Sequence, residues 1–426
     1  MGNLSKQLAI YISLLLCCTP YTMIATFFPG IATSRGIPYW LIGAIFSADP
    51  ASGLITSLLL GKYMIKLGRK NIILSSLGFS AMSMLVLAPI EVVSTGLMLG
   101  LSFSSRIFAG IAAGCVMTAG DSVFVSDYPD DVDTMVGRLE AAIGLGLIIG
   151  PLIGMIMFLG NLLIELLAFG VLLIMIIPVI SKMLGEFRDY VVDNTEMNSL
   201  ELLCKPKVTL DLGMNAALLV SFGFLIPTLE LHLLDLGLSQ WLMSLCFIFL
   251  TFSYSFFCFF GSKIFEKLDD RNTIFIGTMV IALGFLMLSP WQVIFPKTLS
   301  IILLSLPILG LGQAMIYLPT YPHMIKASHE IYGYSKDDIL TDSLSGLSNM
   351  ACNVGEIIGP LISGVLISII GFEYTGTIIA FAFALYGIVY LFGSGLFKKW
   401  TSRRKAITPA LSMKMVFPED EEKVLS

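Results

Sequence analysis

Gly146-Leu147-Ile148-Ile149-Gly150-Pro151-Leu152-Ile153 recurs further along the chain as Gly355-Glu356-Ile357-Ile358-Gly359-Pro360-Leu361-Ile362. A second stretch, Gly61 to Asn71, recurs with one residue inserted as Gly261 to Asn272, where Lys66-Leu67 becomes Lys267-Leu268 and Lys70-Asn71 becomes Arg271-Asn272. Two independent matches at similar offsets describe a chain built from two like halves. Each copy is embedded in apolar sequence. Of the 426 residues, 56% are hydrophobic and only 13% are charged, against roughly 25% charged in a soluble domain, so lipid is the solvent for most of the chain.

A helix crosses about 30 Å of hydrocarbon with ~20 mostly apolar residues. Outward from the two repeats, twelve segments read as spans, all but 165–180 meeting that length: 7–34, 39–61, 71–90, 96–126, 141–164, 165–180, 212–234, 236–262, 272–296, 298–325, 345–371 and 374–397. The expected fold class is an all-α membrane protein, with twelve transmembrane helices in two six-helix pseudo-symmetric bundles. The bundles are expected at 1–181 and 208–397, joined by a polar linker at 182–207 and followed by a charged tail at 398–426. Threaded this way, the N-terminus, the even-numbered loops and the tail carry almost all the Lys and Arg. Only Arg35 and Lys297 fall in the opposite loops, and Arg106 lies within a helix. By the positive-inside rule both termini are expected in the cytoplasm. The first apolar run is far longer than the core of a signal peptide and leads straight into a second span, so a cleaved leader is not expected.

Other classes of function find little support. Net charge is −5 with no basic stripe interleaved with aromatics, so no nucleic-acid partner is expected. The cysteines (17, 18, 115, 204, 246, 258 and 352) are odd in number and lie mainly in apolar segments, which suits small buried hydrophobes better than a metal or disulfide framework. His232, His323 and His329 show no ligand spacing, and no GxSxG or HExxH is present; no metal, no cofactor and no enzymatic activity are expected. A channel would repeat a charged ring by symmetry, whereas the two halves do not share their charges.

At the repeated stretches the chain resembles the major facilitator superfamily, whose transporters are parallel repeats of six spans with substrate at the midplane between the halves. Gly61, Lys66, Gly68, Arg69 and Lys70 resemble the family's G-x-x-x-D-R-x-G-R-R/K loop, with Ile65 where the family carries Asp. Arg106-x-x-x-Gly110-x-x-x-Gly114 resembles its fourth-helix motif, and Gly146-x-x-x-Gly150-Pro151-x-x-Gly154 its antiporter motif. Further stretches, among them Phe27-Phe28-Pro29, Met117-Thr118-Ala119, Phe222-Gly223-Phe224-Leu225 and Pro319-Thr320-Tyr321-Pro322, are similar to the vesicular amine transporters, solute carrier family 18, the polyamine-type member being nearest. The resemblance implies a proton-coupled antiporter of an organic cation in a vesicle or other endomembrane. The partners expected are the substrate cation, protons and the bilayer, and the protein is expected to be monomeric; the alternatives are a facilitative or drug-type transporter of another small organic solute, or a transporter-like sensor that does not transport.

Ionisable groups inside a membrane are functional candidates by default. At 1.5 Å per residue, Asp49 and Arg106 lie roughly 15 Å into their helices and Glu356 roughly 17 Å, all near the midplane. In the resembled fold these helices meet, so the three are expected to cluster, leaving one carboxylate without a partner to carry a proton or meet a cation. Glu230, one turn beyond Pro227 and roughly 27 Å along its helix, lies near the outer mouth and is the fourth substrate or proton candidate. With all four ionised, three acids against Arg106 give a formal charge of −2, which favours an elongated, multiply charged amine. Gating is assigned to Gly61, Lys66, Gly68 and Arg69 of the loop, with Asp121, Glu140 and its repeat equivalent Asn349. Asn349 stands where monoamine transporters carry Asp, and Cys17-Cys18-Thr19 where they carry a first-helix Asp. Gly146, Gly150, Gly154, Gly355 and Gly359 allow close helix contact, while Pro151 and Pro360 remove a backbone donor and bend the helix. The Phe-rich run at 247–260 reads as lipid-facing or packing surface.

Overall fold

The computed structural model describes residues 2–127, 132–157, 161–185, 199–265, 268–289, 296, 298–334 and 338–396, and among these the regular structure is entirely helical. Half of the expected linker and all of the expected tail lie outside the described residues. In chain order the helices are α1 (Gly2–Ala25), α2 (Phe28–Ser34), α3 (Tyr39–Leu67), α4 (Arg69–Leu87), α5 (Thr95–Asp127), α6 (Val132–Met157), α7 (Leu162–Leu184), α8 (Ser199–Leu203), α9 (Pro206–Asp235), α10 (Gln240–Phe265), α11 (Asp270–Leu288), α12 (Leu299–Tyr332) and α13 (Asp338–Gly393). Ten stretches are long and apolar enough to cross a membrane, and α6 adds a shorter apolar segment, Ala141–Gly154.

Two departures from the sequence expectation have simple causes. The first apolar run is not one helix: it breaks at Phe27, whose φ of −141° leaves the helical region, and resumes with Pro29 in the first turn of α2, where a residue lacking N–H is tolerated. The last two expected spans are one helical stretch of 56 residues, interrupted at Gly371 (φ 81°, ψ 170°), a conformation essentially reserved for glycine. The stretch doubles back there. Ser348 near its start takes a hydrogen bond from Asn215, and Tyr386 and Tyr390 near its end donate to Leu210 O and Asp211, so both arms reach the beginning of α9.

The duplicated glycine motif makes equivalent contacts. On α6, a Cβ placed on Gly146 would lie 2.7 Å from Leu15 O of α1, one on Gly150 2.6 Å from Thr19 O, and one on Gly154 3.0 Å from Met23 O. On α13, a Cβ on Gly355 would strike Ala216 O of α9, and one on Gly359 would lie 2.8 Å from Val220 O. Backbone therefore packs on backbone in both copies, because any side chain would push the helices apart. Pro151 and Pro360 lie within these helices without ending them. The elements before α8 meet those after it chiefly through α3 on α13, α6 on α10 and α2 on α9.

The interior mixes apolar and small polar side chains, and the outer surface is apolar as lipid requires. Small and polar residues such as Ser13, Ser76, Ser83, Ser105 and Thr278 are buried, whereas Phe252, Phe256, Phe259 and Phe260 of α10 and Val171, Leu172 and Met175 of α7 face outward. Such broad exposed apolar surface needs a hydrocarbon solvent. Phe247 of the same Phe-rich run is buried, so that run serves both as lipid-facing and as packing surface.

Candidate functional site

Asp49 of α3 and Arg106 of α5 meet because glycines let those helices cross closely. Gly110, one turn beyond Arg106, has no room for a Cβ beside Asp49 O and Ser52 Oγ, and a Cβ on Gly114 would lie 2.7 Å from the carbonyl of Gly53. One turn before this crossing, Arg106 Nη1 donates to Asp49 Oδ2 at 3.2 Å, with the two side chains 2% and 8% exposed. The guanidinium also lies over the Phe46 ring, 5.6 Å from its centroid, a favourable placement for a cation. Its Nη2 is buried with no hydrogen-bond partner among the described residues.

Glu356 approaches from α13. Ser47 of α3 donates to Ile357 O at 2.8 Å, holding the neighbouring turn of α13 at the level of Asp49. The Glu356 carboxyl is half-buried, interacts electrostatically with Asp49, and forms no ion pair or hydrogen bond among the described residues. Tyr21 of α1 feels Glu356, Asp49 and Arg106 together. The three midplane charges expected from the sequence are thus brought together, with Tyr21 and Ser47 as neighbours that sequence reasoning missed; both are polar residues in apolar runs, and that was the available signal.

Glu230 is held elsewhere. It is buried, and its Oε2 accepts the Gly30 N–H at 3.2 Å. Gly30 is in the first turn of α2, where backbone donors lack helical partners, so Glu230 caps one helix from another. Beyond it, the rings of His232 and Phe372 stack at 3.9 Å beside a cavity of about 110 Å³ lined by Tyr39, Thr228, Asp235 and Gly371.

The α3–α4 turn carries the loop motif. Gly68 joins the two helices at φ 77°, a conformation that favours glycine. Lys66 lies over the Tyr63 ring at 5.8 Å, and Lys70 Nζ donates to Gly185 O at the end of α7 at 2.8 Å. Arg69 is buried and Gly61 lies in the last turns of α3. Glu140 lies on α6, but its side chain is outside the described residues. Asp121 is half-buried on α5; Asn349 is exposed, its carbonyl accepting from Asn353.

A second buried charge cluster was not anticipated. Asp211 of α9 accepts from Tyr390 (3.0 Å) through Oδ1 and lies 2.7 Å from His323 Nδ1 of α12 through Oδ2. Arg271 of α11 donates from Nε to His323 Nε2 at 3.1 Å and from Nη1 to Ser394 O at 3.3 Å. No sequence spacing joins residues that come from four separate helices.

Comparison with known proteins agrees with this architecture. The profile of the Major Facilitator Superfamily matches residues 10–332. The chain is 27% identical over 368 residues to the MFS-type transporter SLC18B1 of Homo sapiens, covering 84% of this chain and 79% of that protein. It is 28% identical over 404 residues to SLC18B1 of Mus musculus, covering 92% and 86%. In structure it resembles a mutant of the nucleoside transporter NupG (TM-score 0.72, 14% identity, 92% of this chain and 99% of that one). It also resembles an inward-facing, occupied bacterial homolog of the human lysosomal transporter Spinster (TM-score 0.68, 14% identity, 93% and 96%). With spans long enough to cross a bilayer, lipid-facing apolar surface and a superfamily match over most of its length, this chain is a multi-pass integral membrane protein that belongs to the Major Facilitator Superfamily of transporters.

Proposed function

We propose that the protein exchanges an organic cation for protons by alternating access, through twelve spans in two six-helix halves, in a vesicle or other endomembrane with both termini cytoplasmic. Twelve spans follow if α6 crosses and α13 crosses twice: at 1.5 Å per residue a 56-residue helix is about 84 Å long, nearly three bilayer cores, and it turns back at Gly371. The repeat supports the two-half division. A two-fold relation that carries α3 onto α10 and α6 onto the first arm of α13 turns the α3–α13 contact into the α10–α6 contact, and both are major contacts. Cross-half contacts such as Glu230 with Gly30, and Gly364 with Tyr39, lie on the side away from the α3–α4 turn. That arrangement fits a state open toward the termini.

The observation that carries the exchange reading is the Glu356 carboxyl, without a cation of its own, beside an Asp49–Arg106 pair that neutralises itself. With Glu230 engaged at Gly30, the central site has a formal charge of −1, less than the −2 obtained by counting Glu230 into it. One carboxylate can hold a proton or face a substrate ammonium, and reorienting it empty through a low-dielectric interface is costly. Each ligand must leave before the other binds, which is the requirement for exchange. In proteoliposomes with an acid interior, wild-type protein is expected to accumulate an organic cation, and Glu356→Gln is expected to lose gradient-driven accumulation while remaining folded by circular dichroism. Wild-type accumulation in that variant would overturn the assignment.

A further inference from the structure

The α11 start and the α4 start are repeat equivalents, and each carries a base that reaches the end of the last helix of its half. Lys70 donates to Gly185 O after α7, and Arg271 donates to Ser394 O after α13. The second copy differs in one respect: Arg271 is also wired to a buried acid through a histidine. A guanidinium only donates, so His323 Nε2 must accept from Arg271 and the ring proton must sit on Nδ1, donated to Asp211 Oδ2. In this form the charges of Asp211 and Arg271 cancel, the ring is neutral, and both of its nitrogens are satisfied.

We propose that His323 is a proton-binding site, separate from Glu356, whose occupancy releases Arg271 and loosens the start of α11 at the face carrying the α3–α4 turn and the α9 start. A proton arriving at Nε2 turns the acceptor into a donor facing the Arg271 Nε–H. That bond is lost, and like charges are left 3.1 Å apart. The Nδ1–H to Asp211 bond survives and becomes an ion pair, so the site keeps its proton while releasing the arginine. The surrounding ionisable groups are Asp211 and Lys207 on α9, Arg271 and Asp270 on α11, Lys326 on α12 itself, and Tyr386 and Tyr390 on α13. Lys207 interacts electrostatically with both Asp211 and Arg271, Tyr386 with Asp211, and Asp270 pairs with Lys326 at 2.7 Å. The charged side chains at the end of α10 and just after it (Lys263, Glu266 and Lys267) lie outside the described ones. The proton site stands on geometry alone; its consequence for transport rests on the proposed function.

The repeat supplies an internal control. Hydrogen exchange of the α11 start, taken as a ratio to the α4 start in the same sample, cancels the intrinsic pH dependence of exchange. In wild-type protein that ratio is expected to rise as the buffer is acidified. In His323→Gln, whose amide can donate to Asp211 and accept from Arg271 without titrating, the ratio is expected to stay flat. Arg271→Gln, which removes the repulsive partner, should also flatten it. Nitrogen NMR of the wild type, which has three histidines, should show one buried ring passing from the Nδ1–H tautomer to the doubly protonated form. A wild-type ratio that does not change with pH, or a His323→Gln ratio that rises as steeply as the wild type, would overturn the proposal. Proteoliposome exchange at equal pH on both sides then separates the two readings: if His323→Gln transports with a flattened pH profile both stand. If no preparation transports, the function fails while the exchange ratio still decides the proton site.

Discussion

Removing both members of the Asp49–Arg106 pair should cost clearly less than the two single losses added together, and removing the acid should cost more than removing the base. Both side chains are almost wholly buried, and a single bond of 3.2 Å joins them. In Asp49→Asn the guanidinium keeps its charge, because it cannot shed its proton, and Nη2 is already without a partner among the described residues. An uncompensated buried charge of this kind costs about 3–5 kcal/mol. In Arg106→Gln the lone carboxyl can be neutralised by taking up a proton, so its loss should fall below that range, at about 1–3 kcal/mol. The double variant leaves two amides, one able to donate to the other, and a coupling of about 3 kcal/mol is expected, equivalent to roughly 100-fold in the unfolding equilibrium. Reversible unfolding of the purified protein in one detergent, followed by tryptophan fluorescence, measures all four corners of the cycle. Additive losses, or a smaller loss for Asp49→Asn than for Arg106→Gln, would refute the reasoning.

Three further outcomes are expected. Arg69→Ala and Glu140→Gln should each slow turnover in proteoliposomes, and the double change should cost less than the sum if they serve one gate; strict additivity would separate them. Gly150→Leu places a side chain against the Thr19 carbonyl and Thr22 hydroxyl of α1, and its melting temperature should fall well below that of Leu152→Ala on the same helix; overpacking of this kind costs about 1–3 kcal/mol or more. In competition assays a polyamine should inhibit uptake more strongly than a monoamine or an organic anion of similar size, because Glu356 adds one negative charge to a neutral pair; inhibition by the anion alone would contradict the charge argument.

The all-helical, membrane-spanning character and the repeated glycine contacts were legible because both follow from one-dimensional properties: apolar length, and a motif repeated with its glycines in register. Asp49, Arg106 and Glu356 stood out because a charge in an apolar run is conspicuous. What sequence could not convey was partnership. Glu230 is bound by the backbone N–H of Gly30, a partner with no side chain to notice. Its charge was therefore counted into the central site, although its contact is with α2. Asp211 fell one residue outside the expected seventh span, and His323 was set aside for lacking ligand spacing. Their partners lie on helices far apart in sequence, and only the tertiary arrangement brings them within 3.1 Å. The break at Phe27 was concealed by unbroken hydrophobicity, since apolar length counts residues and not backbone angles.

Gly371 links the two arms of α13 without any intervening loop. Where two helices are joined by a loop the connecting chain can stretch; here one residue in a backbone conformation that favours glycine makes the whole connection. The arms therefore have no slack between them, and the arm bearing Glu356 cannot draw away from the arm bearing Tyr390 at that end. The site around Glu356 and the cluster at the α9 start sit on two arms that share a joint a single residue wide.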